Sequence, residues 1–236
     1  MPTIHPQAAV WSTQTLRFHV VFERAMDVDR AMRHVRLDRD DGDGVFVPVA
    51  GALVDLPDGL WTPDQRVMTV LLHPGRVKSG LAAHAARGRA IQPSQSYRVV
   101  VDGDMEDAEG RPLGRPVHHR FTGGPPGGVP LVARTRRDGR RFAVTFDQPL
   151  DHLSALTHVS LVDATGAVVP SRRAMSPTGV ALRPVDPEQD AEGLSLRIDP
   201  RLEDAEGNRM DAAFEARATA RATFCTTPIT QGAMPC

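Results

Sequence analysis

The sequence is poor in the residues that usually announce a small secreted scaffold or a catalytic centre. In 236 residues there are two cysteines, two tryptophans and one tyrosine, and aromatics make up only 5% of the chain. No disulfide framework can hold the fold, because Cys225 and Cys236 both sit at the C-terminal end with ten residues between them. Two readings of that pair stand side by side. One is a disulfide formed in an oxidising compartment, pinning the tail rather than the fold; the other is two free thiols. The net charge of −1 gives no electrostatic case for nucleic acid or an anionic membrane. The longest apolar runs reach about five to seven residues, too short to cross a bilayer, so no membrane insertion is expected. A basic-then-apolar leader is not apparent in MPTIHPQAAVWST. That leaves a cytoplasmic protein, or a periplasmic or extracellular one whose leader has been removed. Gly-x-Ser-x-Gly, a phosphate loop and a dinucleotide fingerprint are all missing, and neither cysteine lies near a predicted base. The expectation is a protein that is not an enzyme and has no resident cofactor.

What is present is a sentence said twice. Met105–Leu113 reads MEDAEGRPL and Leu202–Met210 reads LEDAEGNRM; upstream, Arg17–Asp27 reads RFHVVFERAMD and Arg141–Asp151 reads RFAVTFDQPLD. The same order of echoes in each half marks an internal duplication. A motif held by both copies is better suited to building the fold than to catalysis. Gly123–Val129, GGPPGGV, reads as a linker because glycine and proline interrupt regular structure. The expected organisation is a first unit over 1–122, a linker over 123–129 and a second unit over 130–236.

Within the first unit, Leu16–Phe22 has the two-residue period of a half-buried strand. His34–Leu37 and Val45–Val49 suggest a hairpin around the acidic loop DRDDGDG. Val67–His73, Tyr97–Asp102 and His118–Thr122 supply further strands, with LWTP at Leu60–Pro63 as a turn. The second unit repeats this order through Phe142–Phe146, His158–Val162, Ala167–Pro170, Gly179–Arg183 and Leu194–Ile198. Ala212–Phe224 is placed as its closing strand. The basic run Arg134–Arg141 is read as a solvated turn or an inter-domain contact. Many short strands, frequent Gly and Pro and little amphipathic helix predict an all-β protein of two tandem β-sandwich domains.

The copies differ in length. Phe22 aligns with Phe146 at an offset of about 124, but Asp107 aligns with Asp204 at about 97, so the first unit holds roughly 27 extra residues. The acidic loop and Gly75–Ser96 are the two insertions, and added loops are where function is commonly placed. The candidate binding residues are therefore Trp61, His73, Arg76, Lys78 and His84. Seven of the nine histidines fall in the first unit. Imidazole suits copper or zinc, so His73, His84, His118 and His119 form an alternative metal set, although adjacent His118 and His119 would face opposite sides of a strand. The acidic loop fails the EF-hand spacing, since Gly42 falls at position five and Val49 at position twelve, and is read as a solvated hairpin tip. The repeated DAEG is read as a turn in which Asp107 and Asp204 accept backbone N–H groups and Gly110 and Gly207 supply positive φ.

Phe22, Met26, Asp27, Trp61, Pro63, Asp64, Tyr97, Asp107, Gly110, Phe121 and Thr122 follow the order "F-S-x-P-M-D, W-x-P-D, Y-x-V, D-x-x-G, F-T". Phe146, Pro149, Leu150, Asp151, Asp204, Gly207 and Phe224 follow it in the second copy, which has P-L in place of P-M and lacks the Trp-Pro turn. This pattern resembles bacterial immunoglobulin-like domains of the S-layer type. Leu60–Leu81 further resembles a group of bacterial two-domain proteins in which "LWDP … PGRIKRGL" is typical. The resemblance implies tandem immunoglobulin-like domains, export, and no catalytic residues. It leads to an expected binding or scaffolding role toward an unknown protein or surface ligand, with a periplasmic copper- or zinc-binding protein as the alternative.

Overall fold

The computed structural model describes residues 1–77, 88–212 and 225–227. The chain divides into two compact units, Met1–Pro126 and Gly127–Cys236. Both are built of β-strands. Unit 1 contains β1 (Thr3–His5), β2 (Val10–Ser12), β3 (Arg17–Val21), β4 (Val35–Asp40), β5 (Phe46–Pro48), β6 (Leu60–Trp61), β7 (Val67–Leu71), β8 (Ser96–Val101) and β9 (Val117–Gly124). Two short 3-10 turns, Ala31–His34 and Pro74–Arg76, join them. Unit 2 contains β10 (Val132–Asp138), β11 (Arg141–Phe146), α1 (His152–His158), β12 (Val159–Val162), β13 (Val168–Val169), β14 (Ser171–Ser176), β15 (Gly179–Pro184), β16 (Ser195–Ile198) and β17 (Cys225–Thr227).

The sheets repeat. Unit 1 has β1-β3-β7-β6 and β2-β9-β8-β4-β5; unit 2 has β10-β11-β15-β14 and β13-β12-β16-β17. In each, the Phe-rich strand, β3 or β11, pairs antiparallel with a strand near the middle of the copy, β7 or β15. The two-residue period explains the burial. Phe18 and Val20 on β3 are wholly buried, and so is Phe142 on β11 beside nearly buried Val144 and Phe146. Both sheets of a unit feed one core. Phe18, Val20, Met68 and Val70 pack with Leu37, Tyr97, Val99 and Phe121. Phe142, Val144, Val180 and Leu182 pack with Val159, Leu161, Leu196 and Ile198.

Several elements depart from the sequence expectations. The apparently irregular N-terminal stretch supplies two strands and the largest core side chain. Trp11 is 2% exposed, stacks on Phe121 at 4.1 Å between ring centroids, and donates its indole N–H to the Pro6 carbonyl at 3.1 Å. Burying both an aromatic face and its one polar atom requires such an acceptor. Gly123 and Gly124 are strand rather than linker, with Trp11 opposite Gly123 in the parallel pairing of β2 with β9. The reason is space: a Cβ on Gly123 would lie 2.0 Å from the Gln92 carbonyl oxygen. Arg134–Arg141 is not an isolated turn. It forms β10, a turn at Gly139 (φ 54°) and the start of β11. SRRAMS, polar because it is an outer strand, forms β14. The helix α1 starts at Asp151, whose side chain accepts the Ser154 N–H at 2.8 Å, an N-cap that the sequence D-H-L-S-A-L contains. Of the expected closing strand, residues 213–224 lie outside the described residues, and β17 pairs with β16 just beyond them. Cys225 opens β17, while Cys236, and with it the expected disulfide, lies outside the described residues.

Trp11→Ala is expected to cost about 3–5 kcal/mol, as truncation of a buried aromatic does. Gly123→Ala is expected to cost about 1–3 kcal/mol, because a backbone carbonyl cannot move aside cheaply. Gly128→Ala, whose added Cβ meets nothing within 4 Å, serves as the unchanged control in denaturant unfolding.

Candidate functional site

The base of the Gly75–Ser96 insertion is a structural clamp. Arg76 is 8% exposed and donates to the carbonyls of Ala50 (2.6 Å), Gly88 (3.0 Å) and Arg89 (3.3 Å). Arg89 in turn donates to the Val77 carbonyl at 3.2 Å. The Arg76 guanidinium therefore spends donors on backbone carbonyls of its own loop and of Ala50, although it still borders a shallow depression with Arg39, Val47 and Gly51. His73 accepts the Gly75 N–H through Nδ1 at 3.1 Å and caps the following 3-10 turn. Trp61 is half-buried against Phe22, with its indole N–H on the Asp58 carbonyl at 2.7 Å. Lys78 and His84 lie outside the described residues.

His118 and His119 point to opposite sides of β9. His118 is exposed; desolvation and then Arg98, Arg36 and Arg120 hold its pKa below the usual value. His119 stacks on Trp11 at 5.4 Å with Nε2 on the Ala8 carbonyl at 3.0 Å. Burial lowers its pKa, partly offset by that carbonyl. The group of potential ligands that does converge is a different one: His34, Asp102 and Asp104, with one donor atom of each within 4.8 Å of the others. His34 Nδ1 faces Asp104 at 3.2 Å, its Nε2 accepts from Arg33, and Asp102 pairs with Arg36. The acidic hairpin is also resolved into parts. Asp40 accepts the Gly42 and Gly44 N–H groups at the exposed tip, whereas Asp38 lies on β4, 1% exposed and paired with Arg98 at 2.9 Å.

The repeated turn is the best-defined polar structure in both units. Asp107 Oδ1 accepts the Glu109 and Arg111 N–H groups, each at 3.0 Å. Asp204 Oδ1 accepts the Glu206 and Asn208 N–H groups at 2.9 and 2.8 Å. The glycines at φ 75° (Gly110) and 80° (Gly207) close the two turns. Bridges Met26–Asp107 and Leu150–Asp204 tie each turn to the segment that follows the Phe-rich strand. What differs is the charge on the other oxygen. Asp107 Oδ2 meets the guanidinium groups of Arg111 at 2.9 Å and Arg24 at 2.7 Å. At the aligned positions, Asp204 Oδ2 accepts from the neutral amides of Asn208 (2.9 Å) and Gln148 (3.0 Å).

The two carboxyls are consequently driven apart. Burial raises Asp107, but the Arg111 backbone and guanidinium outweigh it and hold the pKa below the usual value. Burial, with the nearby Glu206 charge, pushes Asp204 up to about 7 despite the amide and backbone donors. Glu206 is buried, with Oε1 on the Gly127 N–H at 2.7 Å and Oε2 lacking a hydrogen bond. Its counterpart Glu109 is exposed and pairs with Arg111. The substitution of two arginines by two amides was visible in the aligned copies; its electrostatic meaning was not, because Arg24 is far in sequence from Asp107.

No family model matches the chain, and no curated protein matches it either.

The linkage signs are opposite in the two units. A folded-state pKa raised above the ordinary 3.8 means that Asp204's contribution is fully present at low pH and is lost as pH rises from about 4 through about 7. Asp107, depressed, contributes above its unfolded pKa and loses that contribution in acid. Gln148→Arg, which gives Asp204 the cation that Asp107 has, is expected to lower the Asp204 titration midpoint by about one unit or more in carboxyl ¹³C NMR. A midpoint still near 7 would show that the missing cation is not the cause.

Proposed function

We propose that the chain is a non-enzymatic, exported binding or scaffolding protein made of two immunoglobulin-like β-sandwiches. The observation that carries this reading is the repeated frame: one strand order, apart from the extra β2 of unit 1, and one Asp-centred turn in both units. The resemblance to S-layer-type domains rests on the same positions. In this reading the buried polar groups serve the frame. Asp107, Asp204, Arg76 and His73 bond to neighbouring backbone, which leaves recognition to the exposed strand faces. Expressed from its own gene with a C-terminal tag, the protein is expected in the periplasmic or extracellular fraction. Quantitative recovery from the cytosol with an uncleaved N-terminus would overturn export.

A second reading, a periplasmic copper- or zinc-binding protein, is favoured by the convergence of His34, Asp102 and Asp104. An imidazole and two carboxylates form a mixed donor set suited to zinc. Arg33 and Arg36, already bonded to His34 and Asp102, oppose a cation there. Elemental analysis of the purified protein separates the two readings. Stoichiometric copper or zinc lost in His34→Ala supports the second, and its absence after incubation with either metal supports the first.

A further inference from the structure

Unit 2 carries an unbalanced charged surface. On β11 the core takes Phe142, Val144 and Phe146, so Arg141, Ala143 and Thr145 face outward. Register then fixes the rest of that face. Arg136 lies opposite Ala143 and Arg134 opposite Thr145 on β10, with the bulge between Val132 and Arg134 setting this parity. Ala181 lies opposite Ala143 on β15, and Ala174 opposite Ala181 on β14. Arg172 lies opposite Arg183 at the same end of the sheet as Arg141. One face of β10-β11-β15-β14 thus presents Arg134, Arg136, Arg141, Arg172 and Arg183, all exposed, against the single carboxylate of Asp138. The chain as a whole is almost neutral.

Many of the molecule's other arginines are engaged. Arg24, Arg36, Arg98, Arg111, Arg201 and Arg209 are ion-paired. Arg140 and Arg173, on the same two hairpins, donate to backbone carbonyls. The five arginines of the outer face make no ion pair among the described residues. The aligned face of unit 1 keeps only Arg17; His19 and Val21 occupy the places of Ala143 and Thr145. The patch therefore belongs to the second copy alone, and the frame does not require it.

We propose that this face is a docking surface for an anionic polysaccharide, a glycan bearing carboxylate or sulfate groups. The inference rests on the binding-module reading and names its partner. Guanidinium groups recognise planar or tetrahedral oxyanions with paired N–H donors. Neighbouring strands set them about 4.8 Å apart and alternate residues on a strand about 6.8 Å apart, a spread that follows an extended charged chain. The floor between them is Ala143, Ala174, Ala181 and Thr145. It offers no aromatic ring on which a base would stack, and no large apolar side chain to enter a bilayer or a protein partner's pocket.

Full-length protein and heparin, as the sulfated probe, test this by calorimetry across a salt series. Heparin is expected to bind at about 0.15 M salt, with affinity falling steeply as salt rises. Arg134→Ser combined with Arg136→Ser, and separately Arg172→Ser combined with Arg183→Ser, are each expected to weaken binding about ten-fold or more. Arg66→Ser, an exposed arginine of unit 1, is expected to change it less than two-fold. Unchanged circular dichroism and thermal midpoints are expected throughout, since the substituted side chains are exposed; using two pairs on different strands guards against one that misfolds. Absence of heparin binding, or binding that survives both pairs, overturns the proposal. So does equal or tighter binding to duplex DNA or to phosphatidylglycerol vesicles, which would reassign the face to those anions. None of these failures touches the binding or scaffolding reading, which the elemental analysis tests, or its export, which the fractionation tests.

Discussion

A buried carboxylate that satisfies its own turn is the interaction on which each unit depends. Asp107 and Asp204 each collect two backbone N–H groups of their own turn, buried ones in the case of Asp204, and each turn is stitched to the segment that follows a Phe-rich strand. The stitch is doubled, since the Asp27 and Asp151 N–H groups donate to the Glu106 and Glu203 carbonyls. In unit 2 the helix α1 joins the same junction through Ser154, whose hydroxyl accepts the Glu203 N–H. An unpaired buried backbone group costs about as much as a lost hydrogen bond, so one well-placed aspartate fixes where a strand leaves the core.

The copies then diverge in where they put positive charge. In unit 1, arginines neutralise buried acids: Arg24 and Arg111 at Asp107, Arg98 and Arg36 at Asp38. In unit 2 the equivalent turn has lost its cations, and arginines are instead displayed on an outer sheet face. The same frame therefore carries a charge-compensated interior in one copy and a proton-binding carboxyl with a basic surface in the other. Gene duplication permits this because turn geometry needs hydrogen-bond donors, and amides supply them as well as guanidinium groups do. Only the electrostatics change.

Much of the frame was legible. Strands that alternate apolar and polar residues, such as Arg17–Val21 and Arg141–Phe146, declare which face is buried, and the doubled DAEG declared its turn. Less legible were the short elements. β1 and β2 are three residues each, too brief for periodicity, so Trp11 looked like part of an irregular leader although it centres the aromatic cluster. Of the candidate site, Arg76 and His73 lie at the base of the insertion, and their partners are backbone groups that no side-chain pattern reveals. Asp102 and Asp104 went unnoticed because their neighbour His34 is far away along the chain.

By itself the sequence determined that there are two copies of one β-rich unit, where they align, and which residues belong to the shared frame. Those are properties of order along the chain, set by two-residue alternation and by turn chemistry that acts between near neighbours. Tertiary structure alone decided which charges meet. Arg134–Arg141 reads as one basic run, yet only the sheet register brings it beside Arg172 and Arg183 while turning Arg137 over the inward Phe142. Coulomb interactions depend on distance through space, and pairing across strands sets that distance independently of separation in sequence.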